Sequence, residues 1–264
     1  MKCIIPSKDR HNQLYDKTIS FLRRMSMSDD SIYVFIPASQ YKLYKRPNYN
    51  INIITLPDEY DFKTTLNFIH QKFLEEGEKC IRLDDDIEEM YYCPDKSTLM
   101  PFTYQIFYEL YFDTLVKLEN LGLKLAGINP TGNAFFCSPF WGKTQGSYLV
   151  GAFQIFINDR KCQLRSYSTC EDVEQICRHI KYNTYCLKIN AITLKTKWFG
   201  KGGLEAVRKN DYELMEIEHS LLQNEYPHLF NYDLDKVNGK IKCKFRWVRP
   251  RMIDKENFIL DTRD

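Results

Sequence analysis

Residues 80–86 read Cys80-Ile81-Arg82-Leu83-Asp84-Asp85-Asp86: an apolar run closed by three consecutive acids, with Glu88 and Glu89 just beyond. Adjacent carboxylates repel one another, and a cluster of them at a strand end is usually retained where a cation occupies it. Successive strand side chains point to opposite faces, so the alternation predicts that Asp84 and Asp86 converge while Asp85 faces away. The competing account is a solvated helix start, because carboxylates suit the positive end of a helix dipole. Position favours the cation: in open α/β sheets ligands gather beyond the carboxyl ends of strands.

Working outward, the first ninety residues alternate strand and helix. Cys3 to Pro6 is a short strand, and Leu14, Ile19, Phe21, Leu22 and Met25 form an amphipathic helical stripe. Ser31 to Ala38 and Ile51 to Leu56 read as strands, and residues 62–76 as a helix stopped by Gly77. Such alternation predicts parallel βαβ units, hence an α/β fold. Beyond residue 95 the periodicity predicts a helix over 102–121, strands over 124–128, 134–137 and 148–158, a helix from Glu171, a strand over 187–194 and a helix over 204–222. No repeat or linker interrupts this, so one domain is expected over 1–264.

The 264 residues carry a formal net charge of +2, with 44% hydrophobic and 27% charged residues, ordinary globular values that argue against disorder. Nine cysteines (Cys3, Cys80, Cys93, Cys137, Cys162, Cys170, Cys177, Cys186 and Cys243) are scattered and never spaced Cys-x-x-Cys, which predicts reduced thiols in an intracellular protein and no structural zinc. No signal peptide is read at the amino terminus, and no apolar stretch reaches the ~20 residues that cross a bilayer. The five histidines lack ligand spacing.

Four further segments bear chemistry. Pro6-Ser7-Lys8-Asp9-Arg10 ends the first strand, on the edge where the triplet is expected; Lys8 or Arg10 suits a phosphate, and Asp9 a ribose or base. Ser168-Thr169-Cys170-Glu171-Asp172 puts an acidic pair at a helix start, explained equally by capping or by a general base accepting a hydroxyl proton. Phe199-Gly200-Lys201-Gly202-Gly203 is a glycine-rich turn after Lys195 and Lys197, able to cradle an anion but without Walker or dinucleotide spacing. Lys240, Lys242, Lys244 and Arg246 alternate with Ile241, Cys243, Phe245 and Trp247, and Arg249 and Arg251 follow: either an edge strand defended by lysines or a phosphate track.

Taken together, Ile5-Pro6-Ser7-Lys8-Asp9-Arg10, Arg82-Leu83-Asp84-Asp85-Asp86-Ile87 and the later Glu171-Asp172 resemble a GT-A-fold nucleotide-sugar glycosyltransferase. With Gly151-Ala152-Phe153-Gln154-Ile155-Phe156, the chain is similar to the TET/JBP-associated glycosyltransferases of phages and large viruses, thought to place sugars on hydroxymethylated pyrimidines in DNA. The resemblance implies a mixed, mostly parallel sheet flanked by helices, with residues 1–95 binding the nucleotide sugar, a UDP-sugar, and 96–264 binding the acceptor. It implies donor contacts from Pro6, Ser7, Lys8, Asp9, Arg10, Asp84, Asp85, Lys201, Gly202 and Gly203. Asp86, with Asp84, would hold Mn²⁺ or Mg²⁺, Asp172 would be the base beside Glu171, and Gly151, Lys242, Lys244, Arg246, Arg249 and Arg251 would touch acceptor or phosphate. No histidine stands in the carboxyl-terminal segment, where many such enzymes place another metal ligand. Glycan or protein acceptors, a nucleotidyltransferase, and a non-catalytic nucleic-acid-binding relative are the competing readings.

Overall fold

The computed structural model describes residues 1–129, 132–144, 149, 151–183, 185–195, 212–237, 240–247 and 252–257. In chain order the strands are β1 (Lys2–Pro6), β2 (Ile32–Pro37), β3 (Asn52–Leu56), β4 (Lys79–Leu83), β5 (Glu89–Tyr92), β6 (Met100–Pro101), β7 (Leu125–Asn129), β8 (Phe140–Thr144), β9 (Phe153–Ile157), β10 (Cys186–Lys195), β11 (Phe230–Val237), β12 (Lys240–Trp247) and β13 (Met252–Asn257). Helix α1 runs through His11–Gln13, a π-helical Leu14–Ile19 and Ser20–Arg24; α2 through Phe62–Phe68 and a π-helical Ile69–Phe73; α3 is Tyr104–Leu121, α4 Glu171–Asn183 and α5 Tyr212–Glu225.

Eleven strands form one sheet along the path β13-β8-β10-β7-β9-β4-β1-β2-β3, with β5 on β10 and β6 on β5; β11 and β12 make a separate ribbon. The ladders β3-β2-β1-β4 and β7-β10 are parallel, and β9 lies antiparallel between β4 and β7. Following these directions through the antiparallel pairs to β8, β13, β5 and β6 leaves only β5, β8 and β9 opposed to the rest, so the sheet is mixed and mostly unidirectional, as expected.

Strand alternation decides which helix covers which face. Cys3, Ile5, Ile81, Leu83, Phe153 and Ile155 pack with Leu14 and Phe21 of α1 and Ile106 and Leu110 of α3. Ile4, Cys80 and Phe156 pack on the other face against Leu66 and Ile69 of α2 and Ile176 of α4. Helix α3 begins where Thr103 Oγ1 accepts from the Ile106 N–H, and it ends at Gly122, whose φ of 65° suits a residue without Cβ. A third cluster seats α4 on α5 and the start of β11 through Cys170, Val173, Cys177, Leu222, Tyr226 and Phe230.

Two element expectations are corrected. Residues 134–137 hold no strand: Ala134–Phe136 is a 3-10 turn started by Asn133, whose side-chain oxygen accepts from the Phe135 N–H and competes with ladder pairing. The strand expected over 148–158 is confined to Phe153–Ile157, because Gly151 and Ala152 turn. β5 and β6, four and two residues long, escaped the periodicity reading, as did β8, whose five residues are interrupted by Gly142. Eight cysteines are buried and unbridged, in line with reduced thiols. No helix among the described residues is long and apolar enough to cross a membrane.

Candidate active site

β1 and β4 are parallel neighbours, so the turn after Pro6 and the acids after Leu83 leave the same sheet edge. The triplet is itself a turn: β4 stops at Leu83, and the alternation expected to carry Asp84 and Asp86 to one face while Asp85 faces away does not extend through it. Asp85 and Asp86 instead share a cation, with Arg10 Nη1 at 3.2 Å from Asp85 Oδ1 and 3.5 Å from Asp86 Oδ2. Ser7 Oγ donates to Asp85 Oδ2 at 2.6 Å and lies 2.7 Å from the Tyr44 hydroxyl, which also accepts from the Arg10 backbone N–H. Asp84 takes another course. Its backbone N–H donates to Ala152 O, its carbonyl accepts from Thr18 Oγ1, and its carboxylate stands 3.9 Å from Arg82 Nη2.

Asp9 holds a φ of 61°, a strained value for a residue with a side chain. Gln40 braces it from both sides, accepting from the Asp9 N–H at 2.9 Å and donating to its Oδ1 at 2.5 Å. Lys8 is exposed beside it.

The charges are unevenly settled. Burial opposes ionisation of Asp85, and Ser7 and Arg10 offset this only in part, so its proton affinity stays above the usual carboxylate range. Asp84, 37% exposed, is pushed up to about 7 by desolvation and by Asp86, Asp85 and Asp172, against the pull of Arg82. A carboxyl whose folded pKa exceeds its unfolded one favours folding when protonated; that contribution is complete below about 4 and fades as pH rises through about 7. Asp84→Asn is therefore expected to melt above the wild type at pH 8, with the gap closing by pH 4, as calorimetry across pH would register. A wild type that melts higher at both ends would contradict this.

The charge of Asp172, 88 residues further along the chain, is felt by Asp84 and helps to raise its proton affinity. Two buried acids hold the approach to α4. Glu174 Oε2 accepts from the Ser166 and Tyr167 N–H groups, and Glu218 of α5 accepts from the Ser168 and Thr169 N–H groups and from Thr169 Oγ1. Ser168 Oγ also donates to Asp61, the N-cap of α2. Glu171 is buried and Asp172 partly exposed, so of the expected pair Asp172 is the one nearer solvent.

Gly151, expected at acceptor or phosphate, lies against Arg82: a Cβ there would sit 2.9 Å from Arg82 Nη2. Arg82 and Arg165, both buried, were missed as site residues, because a single arginine in an apolar run carries no sequence signal until its neighbours are known. Lys242, Lys244 and Arg246 lie on the β12 ribbon, where the register sets Lys242 opposite Asp235 and Lys244 opposite Asp233. Lys201, Gly202, Gly203, Arg249 and Arg251 lie outside the described residues.

Asp84 and Asp86 are hard oxygen donors suited to Mg²⁺ or Mn²⁺, while no three His, Cys, Asp or Glu side chains converge as a metal cage among the described residues. Burial first, and then the charges of Asp86, Asp85 and Asp172, raise the proton affinity of Asp84 against the pull of Arg82. Two carboxylates suffice where substrate phosphates and water complete the shell, so the residues fit such an ion.

No protein-family model and no curated protein matches the chain. Among solved structures, S. aureus TarS residues 1–349 is 12% identical with a TM-score of 0.45, over 85% of this chain and 66% of that one. The mannosyltransferase PcManGT from Pyrobaculum calidifontis, in complex with GDP-Man and Mn²⁺, is 10% identical with a TM-score of 0.49, over 79% and 59%. A mycobacterial protein is 8% identical with a TM-score of 0.53, over 97% and 85%, and shares the fold. The chain spans less than two thirds of the length of the first two.

Proposed function

We propose that the chain is a metal-dependent GT-A-type glycosyltransferase, moving a sugar from a nucleotide-sugar donor, a UDP-sugar, to a hydroxyl acceptor. One observation supports this reading: two segments far apart in sequence, Ser7–Arg10 and Asp84–Asp86, meet through Ser7, Arg10 and Asp85 at the carboxyl edge of the parallel strands β1 and β4.

In this reading Asp84 and Asp86 hold Mn²⁺ or Mg²⁺, which when bound supplies Lewis-acid neutralisation of the diphosphate oxygens. Arg10 gives up part of its contact with Asp85 and Asp86 to meet the phosphate charge that grows as the glycosidic bond breaks. Ser7 and Asp85 take the nucleoside end, and Asp9 is poised above them. Asp172 accepts the proton of the incoming hydroxyl, and direct displacement inverts the anomeric centre.

For the acceptor, the resemblance to the TET/JBP-associated enzymes favours a hydroxymethylated pyrimidine in DNA. The balanced register of the β11–β12 ribbon favours a glycan or protein acceptor as the second reading. A thermal-shift panel of nucleotide sugars with and without Mn²⁺ tests the donor. A rise of several degrees for one donor, present only with the cation, is the expected result; no shift with any nucleotide would refute the proposal. Incubating the responding donor with hydroxymethylated DNA or with oligosaccharides then decides between the acceptors by which one gains mass.

A further inference from the structure

One helix holds the acid turn along its length. Arg10, at the start of α1, grips Asp85 and Asp86. Further along α1, Lys17 Nζ lies 3.0 Å from Glu88 Oε1, and Arg24 Nη2 donates to Glu88 O at 2.9 Å and to Glu89 Oε2 at 3.1 Å. Between them stands Thr18, fully buried, whose hydroxyl donates to Asp84 O at 2.8 Å and accepts from the Ile87 N–H at 2.9 Å. A single oxygen binds both ends of the turn that carries the three acids.

A threonine inside a helix ordinarily turns its hydroxyl back on the carbonyl of the preceding turn. Both hydrogen bonds of Thr18 go to another segment instead. The winding of α1 accompanies this: Leu14–Ile19 is π-helical, with the Ser20 N–H bonded to Tyr15 O five residues back and Ser20 Oγ donating to the same carbonyl at 2.9 Å. A π-helical ring holds one residue more than an α-helical one and so rotates the side chains it carries; such turns concentrate at functional sites. Tyr15, in the same segment, donates to Tyr44 O, and the Tyr44 hydroxyl is the one that meets Ser7 and the Arg10 N–H. Both halves of the candidate site therefore rest on this stretch of α1.

We propose that Thr18 is a positioning residue for the cation, its hydroxyl fixing the turn in which Asp84 and Asp86 stand ready for one ion. The cation rests on the proposed glycosyltransferase reading; the hold on the turn does not. Magnitudes single out Thr18 from its neighbours. The Lys17–Glu88 and Arg24–Glu89 pairs are partly exposed, and pairs of that kind contribute little. Without the Thr18 hydroxyl, by contrast, the Ile87 N–H is left in the interior with no partner. A site with two protein carboxylates binds an ion well only if both are placed beforehand. A loosened turn has to be ordered as the ion arrives, and affinity falls.

Thr18→Val keeps the shape of the side chain and removes the hydroxyl, whereas Thr18→Ser keeps the hydroxyl. Amide hydrogen exchange of the metal-free protein reads the turn: the Ile87 amide of the wild type should exchange slowly, a measurement that needs no variant to fold. In Thr18→Val exchange over residues 84–88 should quicken about tenfold beyond any change in β2 and β3, and Thr18→Ser should restore it. Free Mn²⁺, followed by electron paramagnetic resonance with and without UDP, reads the ion. Half-saturating Mn²⁺ should rise about tenfold in Thr18→Val and stay within about threefold of the wild type in Thr18→Ser. A wild-type Ile87 amide that exchanges like an open loop overturns the proposal. So does a Thr18→Val protein with a lower melting temperature but unchanged Mn²⁺ half-saturation, since a structural role alone moves only stability. A wild type that binds no Mn²⁺ in either condition overturns the cation role together with the metal-dependent function, and the exchange result then decides the hold on the turn by itself.

Discussion

Asp86→Ala should lose sugar transfer by on the order of 10²–10³-fold, together with the cation-dependent thermal shift by nucleotide sugar. The argument is electrostatic. Asp86 is one of two hard oxygen donors at the end of β4, it shares Arg10 with Asp85, and no third ligand among the described residues can replace it. Removing it takes half of the protein's proposed share of the cation shell and takes from Arg10 one of its two carboxylate contacts, leaving that with Asp85. Titrating Mn²⁺ against the variant separates the two consequences: a weakened metal site recovers activity at high cation, whereas a misplaced Arg10 does not. Full activity at ordinary Mn²⁺ would remove Asp86 from the role proposed for it.

Glu218→Ala should be the most destabilising of the substitutions considered, costing about 3 kcal/mol or more. Its buried carboxylate accepts from two backbone N–H groups and a hydroxyl on the loop before α4, and alanine leaves those donors inside the protein without partners. Glu218→Gln keeps one acceptor oxygen and should recover part of the loss. Because this loop sets the start of α4, the same variant should reduce kcat more than the apparent affinity for donor, which binds at β1 and β4. Urea denaturation gives the stability, and the split between kcat and KM gives the positioning. An alanine variant as stable as the wild type would mean the loop is held by Glu174 and Asp61 alone.

Much of this was readable before any fold was known. The alternation of apolar runs and helical stripes over residues 2–83 announced parallel units, because period 2 and period 3.6 are local properties of the chain. The end of α3 at Leu121, just before Gly122, was legible for an equally local reason. The acids at the end of β4 and the turn after β1 were legible as partners, since parallel neighbouring strands end at the same edge. Residues 134–137 misled because an apolar run was read as strand, whereas Asn133 turns the backbone through its own side chain. Strands β5 and β6 were too short to show a period, and they and β8 owe their pairing to β10 and its neighbours.

The chain alone, then, determined the class of the fold and the chemical character of its candidate site, since both follow from residue order along single elements. Only the tertiary structure decided that Arg10 clamps Asp85 to Asp86, that Glu218 holds the loop before Asp172, that Lys242 and Lys244 stand opposite aspartates in the ribbon's register, and that Arg82 lies buried against Gly151. Each of these depends on groups distant in sequence arriving within a few ångströms of one another. Coulomb forces, desolvation and unmet hydrogen bonds act over those distances and leave no trace in the order of the letters.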